Sequence, residues 1–132
     1  MLGLRPAWDM DLRDPTYLLA LGATLASEAP LVWWLLHRRA AAGRLALAFL
    51  AGNLFTHGLL WTLWPTLPGS YGVRLVVAEG AVVLVEGLIY GGLAGAGWRR
   101  GLATSLVANA ASTVFGLVMW WGLARLGIGL GD

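Results

Sequence analysis

Residues 102–124 read LATSLVANAASTVFGLVMWWGLA, and this run contains no Asp, Glu, Lys or Arg. About 20 consecutive apolar residues are enough for an α-helix to cross the hydrocarbon core of a bilayer. A strand in that environment would leave its backbone polar groups unpaired unless it closed into a barrel, and the run shows no alternation of apolar and polar residues. The stretch therefore predicts a transmembrane helix.

The rest of the chain has a similar composition. Hydrophobic residues make up 58% of the 132 residues and charged residues only 12%, with a mean hydropathy of +0.71, whereas soluble domains carry about 25% charged residues. We predict an all-α integral membrane protein, a compact antiparallel bundle of four transmembrane helices in a single membrane domain, residues 1–132. The predicted helices cover residues 17–36, 45–64, 73–97 and 102–124.

The first 14 residues differ from the four apolar runs. They carry three aspartates and two arginines, whereas a secretory signal peptide begins with a basic segment that is followed by an apolar core. We therefore expect residues 1–14 to form a short interfacial segment rather than a signal peptide.

Arginine supplies all nine basic residues, and its distribution predicts an orientation. The first and third connections between helices are rich in arginine, whereas the middle connection has only Arg74. Because positively charged loops stay in the cytoplasm, we expect both termini outside, in the inner membrane of a prokaryotic cell. The arginines at the predicted cytoplasmic end are Arg38, Arg39, Arg44, Arg99 and Arg100.

Tryptophan and tyrosine cluster near the predicted helix ends, which is typical of residues that anchor a protein at the two bilayer interfaces. We interpret them as anchors rather than as ligand-stacking residues. Those at the predicted cytoplasmic level are Trp33, Trp34 and Trp98, and those at the outer level are Tyr17, Trp61, Trp64, Tyr71, Trp120 and Trp121.

Small residues at a spacing of four offer surfaces for the close packing that drives helix association in lipid. The third predicted helix carries one such ridge and the fourth carries another: Gly87, Gly91 and Gly95, and Ala108, Ser112 and Gly116. We expect the two ridges to pack against each other, or the glycine ridge to form the interface of a homo-oligomer. A partner membrane subunit is the alternative partner of the glycine ridge. We expect the lipid bilayer to surround the remaining surfaces of the helices.

Several strongly polar side chains fall within the predicted spans, where an ionised carboxylate costs at least about 2.5–3.5 kcal/mol. Residues three, four or seven positions apart share one face of a helix, and a rise of ~1.5 Å per residue brings the polar positions of all four helices to similar depths. We therefore expect them to form one central ligand- or ion-binding site. The residues of this predicted site are Glu28, Asn53, His57, Glu79, Glu86, Asn109 and Ser112.

Some of these residues have an alternative interpretation. Asn109 and Ser112 are typical of the hydrogen bonds that hold membrane helices together, which contribute about 0.6 kcal/mol each. Glu28 precedes Pro30 by two residues, so the alternative for Glu28 is a helix kink that turns it towards water.

The predicted site favours transport or conduction of a cation, a proton or a small polar ligand, because intramembrane carboxylates and histidines mark ion pathways and proton relays. One alternative is a metal-dependent membrane enzyme that acts on a lipid-like substrate, with His57, Glu79 and Glu86 holding a divalent ion. Another is an accessory subunit of a larger membrane complex. The chain has no cysteine, which excludes disulfides and thiolate chemistry, and it has no basic face for nucleic acid.

Overall fold

The computed structural model describes residues 15–127, which form four α-helices and contain no β-strand. The helices are α1 (Pro15–Leu36), α2 (Ala42–Leu63), α3 (Tyr71–Gly92) and α4 (Trp98–Arg125), and a 3-10 turn (Trp64–Thr66) extends α2. The prediction of four helices is confirmed. The predicted interfacial segment, residues 1–14, lies outside the described residues.

Three of the four helices are long and apolar enough to cross a membrane. They are α1, α2 together with its 3-10 turn, and α4. The 22 residues of α3 include three charged side chains, Arg74, Glu79 and Glu86. Length and composition thus support a membrane protein through α1, α2 and α4, and the crossing by α3 stays a prediction.

The connection between α3 and α4 begins earlier in the chain than predicted, because two glycines redirect the backbone. Gly95 and Gly97 have φ angles of 75° and 82°, a left-handed conformation that L side chains rarely adopt. Backbone N–H groups of the connection donate to carbonyls in the last turn of α3 at 3.2 Å, which caps that helix. Consequently α3 ends at Gly92 instead of residue 97, and α4 begins at Trp98 instead of residue 102.

Five arginines lie at the end of the bundle where the first and third connections meet. Two of them lie between α1 and α2, and the other three lie in the first turns of α2 and α4 instead of in the connections. Arg44 of α2 also reaches α3, since its Nε donates to the Leu93 carbonyl at 3.0 Å. A cation is favourable at this C-terminal end of a helix.

The packing of the bundle centres on α4, which makes extensive contacts with α3 and α1, whereas α2 packs mainly against α3. Many large apolar side chains on the outer faces of the helices are exposed, which suits a surface that meets lipid. The buried apolar core lies towards the arginine-rich end. Its residues are Val32, Leu36, Leu45, Ala48, Tyr90, Ala94, Ala96 and Ala108.

Glycine on both helices allows a close crossing of α3 and α4. A Cβ on Gly101 would lie 2.7 Å from the backbone nitrogen of Gly91 and would also strike the Gly87 carbonyl oxygen. A Cβ on Gly87 would lie 2.8 Å from the Cα of Leu102. The glycine ridge of α3 therefore packs against the start of α4, and not against the predicted small residues further along that helix.

This packing bears on the predicted homo-oligomer. Gly87 is buried, and Gly91 lies against the backbone of Trp98 in the same chain. Gly95 lies beyond the end of α3. A second copy would have to displace α4 to use this ridge, and homo-oligomerisation stays a prediction.

Candidate functional site

The Glu86 carboxyl of α3 is the centre of a hydrogen-bond network that joins three helices. It is 1% exposed. Its Oε1 accepts a hydrogen bond from the Thr56 hydroxyl of α2 at 2.7 Å, and its Oε2 accepts one from the Asn109 amide of α4 at 2.8 Å. The Ser105 hydroxyl of α4 lies 3.5 Å from the same Oε2. Polar side chains from two neighbouring helices therefore converge on one buried carboxyl.

Helical spacing explains why these donors meet Glu86. Ser105 and Asn109 are four residues apart and share a face of α4, and the Asn109 amide also donates to the Ser105 hydroxyl at 3.1 Å. On α2, Gly52 lies one turn before Thr56, and a Cβ on Gly52 would lie 3.5 Å from Glu86 Cγ. Glu86 therefore packs beside Gly52 at an ordinary contact distance, and the Thr56 hydroxyl completes the contact with α2.

Glu28 supplies a second buried carboxyl, from α1. It is 0% exposed, and its Oε1 accepts a hydrogen bond from the Ser112 hydroxyl of α4 at 2.7 Å. Helix α1 continues through Pro30 to Leu36. The alternative in which a kink turns Glu28 towards water is therefore wrong, because Glu28 lies inside the bundle.

Three buried polar atoms in this region have no hydrogen-bond partner among residues 15–127: Glu28 Oε2, His57 Nε2 and Tyr90 Oη. The Asn53 side chain interacts with both Glu28 and Tyr90, and its amide nitrogen also donates to the Phe49 carbonyl at 3.2 Å. Buried polar atoms are seldom left unpaired in native proteins. Their occurrence together indicates an interior that accommodates water, an ion or a ligand.

The three glutamates interact with one another and have no basic partner among residues 15–127. Glu86 repels both Glu28 and Glu79, and no arginine of the described helices is among the groups that act on any of the three. Like charges close together in a medium of low dielectric cannot all be ionised without compensation. The site therefore requires protons or a bound cation.

A cavity of about 40 Å³ lies among these side chains. One buried water needs about 10–15 Å³ on this measure, so the cavity has room for a few water-sized groups. Six of the seven residues of the predicted site line it, and the seventh, Glu28, is hydrogen-bonded to the lining residue Ser112. The polar lining consists of Thr24, Asn53, Thr56, His57, Glu79, Glu86, Asn109 and Ser112.

A wider cavity of about 570 Å³ lies at the opposite end of the bundle from the five arginines. Its aromatic lining consists of His57, Trp61, Trp64, Tyr71 and Trp120. The interpretation of the outer tryptophans as interfacial anchors is therefore incomplete, since three of them line a cavity. Trp121, which is 61% exposed, has the exposure expected of an anchor.

Tyr17 also differs from the predicted anchor. It is 6% exposed, and its ring centroid lies 5.2 Å from that of His57 and 5.5 Å from that of Trp61. Edge and tilted contacts of this kind stabilise aromatic pairs. Tyr17 therefore packs the His57 and Trp61 rings of α2 against α1.

Four polar residues at the site were missing from the sequence prediction. Each lies three or four positions from a predicted site residue on its own helix and shares its face. The helical spacing was thus a signal that could have found all of them. They are Thr24, Thr56, Tyr90 and Ser105.

The predicted metal ligands His57, Glu79 and Glu86 all line the smaller cavity. In the part of the chain that the structure describes, however, no group of three or more His, Asp or Glu side chains is arranged to hold a metal ion. The geometry adds no support for a divalent cofactor, and the metal-dependent enzyme stays a prediction.

Comparison of this chain with protein-family models, curated proteins and solved structures finds no match. Its function has to be argued from its own residues, of which the buried glutamates and the two adjacent cavities are the most informative.

Proposed function

We propose that this protein is a small membrane carrier that binds a cation at the buried carboxyls of Glu28 and Glu86 and transfers it across the bilayer. In this proposal α3 is the fourth membrane span, the arginine-rich end faces the cytoplasm and the aromatic cavity faces outside. The observation that carries the proposal is the pair of carboxyls, which have hydrogen-bond donors around them but no basic partner within residues 15–127.

The donors around Glu86 orient its carboxyl but do not neutralise it. Thr56 and Asn109 are uncharged, and each contributes one hydrogen bond. A proton or a small cation supplies the positive charge that these residues lack. Because this proton or cation is not a permanent part of the protein, it can exchange with the solution. A protein that exchanges it on both sides of the membrane transports it.

A purely structural polar cluster accounts for fewer of the observations. Such a cluster stabilises a fold when its members satisfy one another. Here Glu28 Oε2 and His57 Nε2 find no partner in the described helices, and a cavity adjoins His57. Unpaired polar groups beside a cavity favour an exchangeable ligand over a cluster that only stabilises the fold.

The two ends of the site are unequal, as expected for one state of a carrier. His57 lines both cavities, so the polar interior adjoins the aromatic cavity at the outer end. Towards the arginine-rich end, Tyr90 and Leu36 belong to the packed apolar core. A carrier alternates between states that are open to opposite sides, and this arrangement corresponds to the state that faces outwards.

The experiment that tests the proposal uses the full-length chain reconstituted in phosphatidylethanolamine–phosphatidylglycerol vesicles. A potassium diffusion potential, negative inside, drives cations inwards, while entrapped dyes report H⁺ and Na⁺. We expect the wild-type protein to admit at least one of the two ions. Glu86→Gln keeps the shape of the side chain but removes its charge, and we expect it to reduce the entry rate at least about tenfold, a change equivalent to 1.4 kcal/mol.

Ser27→Ala is the matched control, because the Ser27 hydroxyl donates to the Thr24 carbonyl of its own helix at 3.0 Å. We expect this variant to retain the wild-type rate. The proposal is contradicted if the wild-type protein admits neither ion. It is also contradicted if Glu86→Gln, with helical circular dichroism intact, admits them at the wild-type rate.

A further inference from the structure

The polar cavity and the aromatic cavity adjoin each other. His57 and Leu60 line both of them, so the two spaces meet at these side chains of α2. A molecule that reaches past these two side chains would occupy both spaces, with one end among the glutamates and the other among the tryptophans.

The volumes of the two cavities define the shape of such a molecule. The polar cavity, at about 40 Å³, accepts a head group of water size. The aromatic cavity, at about 570 Å³, falls within the roughly 300–1,000 Å³ that is usual for small-molecule sites. The pair fits a ligand with a compact polar head and a broad body.

The chemistry of the polar cavity selects the head group. Glu79 and Glu86 are among its lining residues, and carboxylates accept hydrogen bonds from cationic donors. A primary ammonium group has three N–H donors on one heavy atom, which matches both the acceptors and the size. In the tautomer protonated at Nδ1, the unpaired Nε2 of His57 offers one further acceptor.

The chemistry of the aromatic cavity selects the body. Trp61, Trp64 and Trp120 offer indole rings, and Tyr71 offers a phenol ring that packs edge-on against Trp64 with centroids 5.5 Å apart. Such rings bind flat apolar groups by stacking, and their faces attract a nearby organic cation. An aromatic or cyclic body fits this lining.

We propose that the carrier also takes an organic substrate, a primary amine in its protonated form, with the ammonium group beside Glu79 and Glu86 and an aromatic or cyclic body among Trp61, Trp64 and Trp120. This assignment rests on the proposed function and names an organic substrate class for the part of that site that contains Glu86. It implies that the protein recognises an organic molecule from the outer side of the membrane.

Two related classes of compound are disfavoured by the same geometry. A quaternary ammonium group has no N–H donor and is too bulky for the polar cavity. An amino acid brings a carboxylate, and no arginine of the described helices lines either cavity to pair with it. A primary amine without a carboxylate avoids both mismatches.

Isothermal titration calorimetry of the full-length chain in dodecylmaltoside micelles tests the assignment. The probes are 2-phenylethylamine, its N,N,N-trimethylammonium analogue and 2-phenylethanol, all at neutral pH. We expect 2-phenylethylamine to bind and each of the other two to bind at least about tenfold more weakly. Equal affinity for the trimethyl analogue or for the alcohol would overturn the assignment of a primary ammonium head.

Adjacent tryptophans provide a matched pair of variants. Trp120→Ala removes a ring from the aromatic cavity and should weaken binding of 2-phenylethylamine about tenfold. Trp121→Ala should leave it unchanged, because the Trp121 ring packs under Arg125 at 4.3 Å and does not line the cavity. Equal effects of the two changes would overturn the placement of the body. Trp120→Phe is the second variant if Trp120→Ala does not fold, with a loss of about threefold expected.

The two proposals fail separately. Amine binding is measured without transport, and entry of H⁺ and Na⁺ is measured without amine. Glu86-dependent ion entry combined with no selective amine binding overturns the substrate class alone. Selective amine binding combined with ion entry that does not depend on Glu86 overturns the carrier function alone.

Discussion

The Thr56 hydroxyl of α2 donates a 2.7 Å hydrogen bond to the Glu86 carboxyl of α3 in the interior of the bundle. Thr56 also faces an apolar cleft of about 100 Å³ between these helices, which Leu63 and Val77 line further along. The two helices therefore pack incompletely at this level, and the hydrogen bond is an important polar link between them.

Thr56→Val should weaken this link, because valine keeps the shape of threonine but lacks the donor. We expect the free energy of unfolding to fall by about 0.6 kcal/mol, the average for interhelical hydrogen bonds in membranes, and by no more than about 1.7 kcal/mol. Denaturation in mixed micelles measures it. The control is Thr66→Val, since the exposed Thr66 hydroxyl donates to the Leu63 carbonyl beside it. A comparable loss in both variants would contradict a special role for the bond to Glu86.

Ser112 and Glu28 should be energetically coupled across α4 and α1. Ser112→Ala removes the donor at 2.7 Å and leaves a buried carboxyl with less support. We expect a double-mutant cycle with Glu28→Gln to give a coupling of about 0.5–3 kcal/mol. The same cycle with Thr66→Val, an exposed position in the 3-10 turn after α2, should give less than about 0.5 kcal/mol. Additive effects of Ser112→Ala and Glu28→Gln would show that the two side chains do not interact.

Gly101→Ala should prevent the close approach of α4 to α3. The new methyl group would collide with the backbone of Gly87 and Gly91, and α3 cannot retreat without opening the Glu86 network. We expect a loss of at least about 3 kcal/mol or no folded protein. Gly116→Ala is the control, because a Cβ there meets no atom within 4 Å. Size-exclusion chromatography and thermal unfolding distinguish the variants, and a well-folded Gly101→Ala would refute the predicted clash.

Sequence patterns predicted the helices and the residues that meet in the interior, because both depend on local spacing. Apolar runs of sufficient length define the helices, and positions three or four apart bring Asn53 and His57, or Asn109 and Ser112, to one face. The same rule would have added Thr56 and Ser105. The limits of α3 were predicted less well, since the left-handed conformations of Gly95 and Gly97 depend on how the chain returns to pack α4.

The aromatic cavity could not be predicted from the sequence. Trp120 and Trp121 are identical in chemistry and adjacent in the chain, but one lines the cavity and the other lies beside Arg125. Which of them faces inwards depends on the rotation of α4, and that rotation depends on how α4 packs against α3 and α1. Similarly, tyrosine near a helix end is typical of an interfacial anchor. Tyr17 is instead buried because its ring packs against those of His57 and Trp61.

The most direct test of an exchangeable cation at the buried carboxyls uses an unusual property of the sequence. The chain contains three glutamates, all at the site, and no glutamine, so ¹³C-labelled glutamate places the label at the site. Infrared difference spectra of the labelled protein in vesicles are recorded on addition of acid, Na⁺ or 2-phenylethylamine. We expect at least one addition to change the labelled carboxyl bands and Glu86→Gln to remove part of the change. Labelled bands that do not respond to any of the three additions would contradict it.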